Sequence, residues 1–184
     1  MCKWNTQIDL PLPIAVNHVI SFIERNTAQR SEIGRIHRVD IPQYPPIVLR
    51  EAIINAIVHA DYSIKGARIQ VAIFSNRLEI TNPGALPYGL SLEKALSGIS
   101  QLRNRVIGHV FRELKLIERW GSGLGRMVEV CHMQGLSEPK FEELDHYFRV
   151  TLYHGVHAIS VKIPWQQDII EYLTESGYIY QRSK

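Results

Sequence analysis

The stretch "IVLREAIINAIVHADY" (47–62) constrains the fold more than any other part of the chain. Ile53, Ile54, Ala56, Ile57 and Val58 make it a helix that is apolar almost all round. Such a helix has no solvated face and must be enclosed by other elements. A chain of 184 residues, 45% hydrophobic and 21% charged, is long and apolar enough to enclose it. Two polar residues interrupt the helix. Glu51 and Asn55 are four apart and share one face, and His59 follows four further on. A buried polar side chain without a partner costs about 1–3 kcal/mol, so Glu51 and Asn55 must be paired or face a cleft. Ordinary structural hydrogen bonds would satisfy them. A cleft would give them a chemistry: a carboxylate can orient and deprotonate water, and an asparagine carbonyl is a hard oxygen ligand suited to Mg²⁺.

The flanking segments supply the enclosure. "DLPLPIAVNHVISFIERNT" (9–27) reads as a helix entered through prolines, with Ile14, Val16, Val19, Ile20 and Ile23 at near-helical spacing. "SEIGRIHRVDIPQYPP" (31–46) suggests a short strand ending in a proline-rich turn. "ARIQVAIF" (67–74), a turn at 75–77 and "LEITN" (78–82) form a β-hairpin, and "PGALPYGLS" (83–91) is a turn-rich loop. "LRNRVIGHVFRELKLIER" (102–119) and "RMVEVCHMQGL" (126–136) read as helices, the second capped by Gly135. "FEELDHYFRVTLYH" (141–154) alternates at its end like a strand. The order gives an α+β fold: a mixed, mainly antiparallel sheet with helices packed on one face.

Between the last two helices lies "WGSGLGRM", with Gly121, Gly123 and Gly125. Three readings compete for it: a tight helix–helix connection, a dinucleotide loop, or a phosphate-binding lid. The dinucleotide fingerprint wants G-x-G-x-x-G directly after a strand; here the spacing is G-x-G-x-G after a charged, helix-like segment. No G-x-x-x-x-G-K-[ST] occurs, so no P-loop motor is encoded here. A helix N-terminus offers unpaired N–H groups and partial positive charge, and glycines let an anion approach them.

The ordered set "REAIINAIVHADY", "EITNPGALPYG" and "GSGLGRM" resembles the GHKL ATPase superfamily, the Bergerat fold of histidine kinases, gyrase B, Hsp90 and MutL. It is most similar to the branch of RecG-like C-terminal and transcriptional-regulator ATP-binding domains, over roughly residues 9–154. The resemblance implies a GHKL-type α/β sandwich that binds ATP and Mg²⁺. Glu51 then corresponds to the general base that activates water, and Asn55 to the Mg²⁺ ligand. Asn82 stands where the superfamily has an Asp that accepts from the adenine amino group. Gly84 matches the first glycine of that motif, and Gly121, Ser122, Gly123 and Gly125 fall in the triphosphate lid. An amide oxygen also accepts from an amino group, but it is uncharged and the amide can turn either way. The resemblance further implies a regulatory domain of a DNA-associated protein or transcriptional regulator with weak ATP hydrolysis. Such domains are often found with Schlafen-type AlbA domains. The alternative is a degenerate GHKL-fold module without ligand, acting in DNA binding or protein pairing.

Residues 1–158 are expected to form the ATP-binding domain with its N-terminal helical extension. Residues 159–184 are expected to form a helical tail, the start of a truncated winged-helix region. A net charge of +3 is only mildly basic, and does not mark a dedicated nucleic-acid binder. A stripe of Arg35, Arg38, Arg103 and Arg105 would favour DNA contact; Arg103 and Arg105 could equally reach a phosphate. His59 and Asp61 form at most a two-ligand metal pair, and a structural histidine is the simpler reading. Cys2 and Cys131 do not make a disulfide framework. No signal peptide and no apolar run of membrane-spanning length occurs, which points to a cytoplasmic protein. A homodimer is compatible with the sequence, though no heptad is visible.

Overall fold

The computed structural model describes residues 7–27, 29–33, 38–117 and 123–153, with the backbone alone for 29–33 and 38–41. Gly121, Ser122, Arg35, Cys2, the Arg38 side chain and the whole tail from 154 onward lie outside the described residues.

Helix α1 (Leu12–Asn26) starts on Pro11 with a second proline in its first turn, where a missing N–H costs nothing. It buries Val16 and Ile23. Strands β1 (Gln29–Ile33) and β2 (Arg38–Pro42) form an antiparallel hairpin in the stretch read as a single strand. Helix α2 (Pro46–His59) is likewise entered through Pro45 and Pro46. Its buried residues are Val48, Leu49, Ala52, Ile53, Ile54, Ala56, Ile57 and Val58. It packs against α1 and against the later helices and sheet, which is the enclosure its composition demands.

Strands β3 (Gln70–Ile73) and β4 (Arg77–Pro83) form the expected hairpin. The loop after β4 runs into a short helix, α3 (Leu92–Leu96), capped by Ser91. Helices α4 (Arg105–Glu113) and α5 (Gly123–Met133) follow. α5 ends at Gly135, whose φ of +66° permits the closing bonds of Gly135 N to His132 O and Leu136 N to Cys131 O. Strands β5 (Lys140–Leu144) and β6 (Tyr147–Tyr153) complete the chain's described part.

The four-stranded sheet has the order β3-β4-β6-β5 and is antiparallel throughout. The fold is therefore α+β, as its element order implies. Register sets the two faces. Leu78 faces Leu152 and Ile80 faces Val150, and these residues join the helix core with Phe111 and Met127. Val71, Ile73 and Phe141 extend that face outward. The opposite face is charged: Glu79 meets Arg77 at 2.6 Å and Arg149 at 3.5 Å, and Lys140 meets Glu142 at 2.7 Å. The described helices thus pack on this apolar face. At the end of the apolar row, opposite Phe148, stands Asn82.

Candidate functional site

Glu51 and Asn55 emerge half-buried from the otherwise apolar surface of α2. The Asn55 amide donates to Glu51 Oε1 at 3.3 Å, so the pair is internally bonded across one turn. The first residue of α5 lies directly over them. A methyl group built on Gly123 would fall 2.2 Å from Glu51 Oε1 and 2.8 Å from Asn55 Nδ2. Only glycine lets the start of α5 approach α2 this closely. Gly125 sits elsewhere: its missing side chain faces the Leu96 carbonyl at 3.1 Å, and its bareness serves α3–α5 packing.

The opposite end of the site is built from the end of β4. Asn82 is only 4% exposed. Its Nδ2 donates to the carbonyls of Pro83 (3.1 Å) and Gly84 (3.4 Å). Turning the amide over would set its oxygen against both carbonyls, so the orientation is fixed by the partners. Contrary to the sequence expectation, the amide is not free to turn. No described residue donates to its oxygen, which therefore presents an acceptor.

From Gly84 (φ +98°) the chain runs along the cleft as a wall of Ala85, Leu86, Pro87 and Leu90. Four hydrogen bonds fix this wall from three sides. The Asp61 amide donates to Pro83 O at 2.8 Å, and the Gly84 amide to His146 O at 2.6 Å. The Leu86 amide donates to Glu143 Oε1 at 2.8 Å, and Arg103 Nη2 to Ala85 O at 2.7 Å. Next to Arg103, Asn104 donates from Nδ2 to Val58 O (2.9 Å) and Ala60 O (2.7 Å), closing the C-terminal end of α2.

One cavity of about 90 Å³ joins these parts. Glu51, Asn55, Asn82, Gly84 and Gly123 all line it, with Phe148 and Val150 as its floor. Gly125 does not. Its wall is mostly apolar, with polar groups gathered at the two ends, the usual make-up of a ligand site. His59 also lines it. Burial, and secondarily the Arg103 charge, hold the His59 imidazole below its ordinary pKa. The Asp61 carboxyl is held low by bonds from the Ser63 hydroxyl (2.6 Å) and amide (3.0 Å), with Arg103 contributing less. Among the described residues no three His, Cys, Asp or Glu side chains converge, so His59 and Asp61 do not begin a protein-only metal site. Nor is any described helix long and apolar enough to cross a membrane.

Two functional features escape the sequence. Arg103 turns inward onto Gly84 rather than outward toward a phosphate or DNA, and Asn104 ties α2 to α4. Only the polar cluster "QLRNRV" hints at them.

Residues 66–152 match the family described as "Putative ATP-dependent DNA helicase recG C-terminal". This part of the chain is similar to a RecG C-terminal-type, ATPase-like domain. The matched RecG-type segment contains Asn82, Gly84, Arg103 and Gly121 to Gly125, whereas α2 with Glu51 and Asn55 precedes it. In solved structures, the DIP2311 protein from Corynebacterium diphtheriae has the same fold, with a TM-score of 0.69 and 21% identity. That likeness covers 91% of this chain and 36% of the DIP2311 chain. No curated protein matches. The fold shared with DIP2311 thus spans both α2 and the sheet, and the cleft lies between them.

Proposed function

We propose that the cleft binds ATP with Mg²⁺, as a regulatory domain of a DNA-associated protein or transcriptional regulator with slow ATP hydrolysis. The carrying observation is the convergence of Glu51, Asn55, Asn82, Gly84 and Gly123 on one cavity. The Asn82 oxygen suits an exocyclic amino group, since its own nitrogen is committed to two carbonyls. A keto group there would meet acceptor against acceptor. The apolar floor at Phe148 and Val150 suits a flat heterocycle. At the other end, the entrance of α5 at Gly123 offers backbone N–H groups to phosphate; in the sequence Gly121 and Ser122 come just before it.

The residues fit Mg²⁺ of the phosphate-bridging kind. Such an ion needs only one or two protein oxygens, and the Asn55 carbonyl beside Glu51 supplies one. When bound, the ion would neutralise phosphate charge. Glu51 would orient water and take its proton. The cavity of about 90 Å³ is smaller than the several hundred Å³ of a ligand pocket. Nucleotide binding therefore requires the start of α5 to move off Glu51 and Asn55.

Calorimetry with ATP and Mg²⁺ tests the reading, with Glu51→Gln expected to abolish turnover while leaving affinity within about threefold. Asn55→Ala should weaken binding only when Mg²⁺ is present. No heat at millimolar nucleotide from folded protein overturns the proposal. It would instead support the second reading, a module that keeps the fold without ligand, which the closeness of Gly123 to Glu51 favours.

A further inference from the structure

From the packing around Gly84 we infer that Arg103 is a positioning residue for the base end of the cleft, and not a phosphate-binding or DNA-binding arginine. This rests on the nucleotide reading of the cleft. A methyl group built on Gly84 would fall 1.7 Å from Arg103 Nη1 and 2.9 Å from Asp61 Cβ. The guanidinium therefore occupies the space that a side chain at position 84 would take. The φ of +98° favours glycine at position 84, and its bare backbone leaves room for Arg103. From that seat Nη2 holds the Ala85 carbonyl at 2.7 Å. Nη1 is buried without a hydrogen-bond partner, 4.0 Å from Asp61 Oδ2.

Arg103 does not line the cavity, but every group that its bonds fix does so directly or through one residue. Ala85 and Leu86 are wall residues. Asp61 holds Pro83 through its amide, and Pro83 receives the Asn82 side chain. Through its bond to Ala85 and its charge beside Asp61, the guanidinium thus sets where the acceptor of Asn82 and the apolar wall stand relative to α2. A lysine would keep the charge but not the planar group that fills the space at Gly84.

The test measures affinity for Mg·ATP and for magnesium tripolyphosphate, which lacks base and sugar, in Arg103→Ala and Arg103→Lys. Amide exchange of Gly84 and Leu86 is followed in the same proteins. Both variants should bind Mg·ATP about tenfold more weakly while tripolyphosphate affinity stays within about twofold. If Arg103→Ala does not fold, Arg103→Lys carries the test. Equal loss for both ligands, recovery of Mg·ATP affinity by lysine, or no loss at all overturns the inference. If the unaltered protein binds neither ligand, the nucleotide reading has failed and exchange decides alone. The Gly84 and Leu86 amides should then exchange at least about tenfold faster in Arg103→Ala, with α2 amides unchanged. Unchanged exchange at Gly84 and Leu86 overturns the positioning role.

Discussion

Asn82→Asp, which would introduce the aspartate expected from the GHKL resemblance, should damage this protein. The Asn82 nitrogen lies 3.1 Å from Pro83 O and 3.4 Å from Gly84 O, in a residue only 4% exposed. A carboxylate oxygen in that place faces two carbonyl oxygens. Ionised, the new side chain loses two hydrogen bonds of about 0.5–1.5 kcal/mol each and leaves a buried charge unpaired. Kept neutral at pH 7, it must hold its proton about three units above a normal pKa of about 3.9, which costs roughly 4 kcal/mol. The cheaper route sets the loss, so about 2–4 kcal/mol is expected, or a melting point lower by roughly 4–16 °C.

The pH dependence separates this loss from a simple packing defect. The carboxyl's folded pKa is raised above its unfolded value. The deficit is then complete above the folded pKa and shrinks as pH falls toward and then through the unfolded pKa of about 3.9, below which both states are protonated. Urea unfolding of both proteins at pH 8 and near pH 4.5 measures it. Equal stability at pH 8, or a deficit independent of pH, would refute the pinned amide. Tighter ATP binding by the variant would show that Asn82 is merely a weaker aspartate.

Asn104→Ala removes two bonds to the end of α2. It should cost about 1–3 kcal/mol in thermal unfolding. Gly84→Ala forces a side chain onto Arg103 and Asp61 at positive φ, so a loss of about 2–4 kcal/mol in urea is expected. Phe111→Ala, at a site 1% exposed in the core, should cost about 3–5 kcal/mol by the same measurement. His59 has a lowered folded pKa; the unfolded state thus binds its proton more readily, and stability should fall as pH drops below about 6.5. His59→Gln should flatten that fall between pH 7 and 5, as melting curves would show.

The helices were legible because their signals are local. The apolar run of α2, the proline entries of α1 and α2, and Gly135 after α5 each sit within one element. The two hairpins read as single strands were hidden for different reasons. β5 is "KFEEL", whose edge position leaves it charged and without alternation. Its turn depends on Asp145 at φ +50°, a left-handed residue that aspartate adopts without a glycine to mark it. Glu51 and Asn55 stood out as polar interruptions of an apolar helix. Asn82 spends its nitrogen on the carbonyls of the next two residues, a local turn that the resemblance to an aspartate position concealed. Nothing local could tell that Arg103 packs on a glycine 19 positions earlier, a contact that arises only when the end of β4 and the start of α4 come together.

The two-residue turn at Asp145 and His146 has a practical consequence. Its carbonyl holds Gly84, and neighbouring Glu143 holds Leu86, so lengthening or tagging it would shift the ligand wall from the far side of the sheet. A fluorophore or affinity handle belongs instead at Ser75 in the β3–β4 turn, an exposed position outside the bonds that secure the cleft.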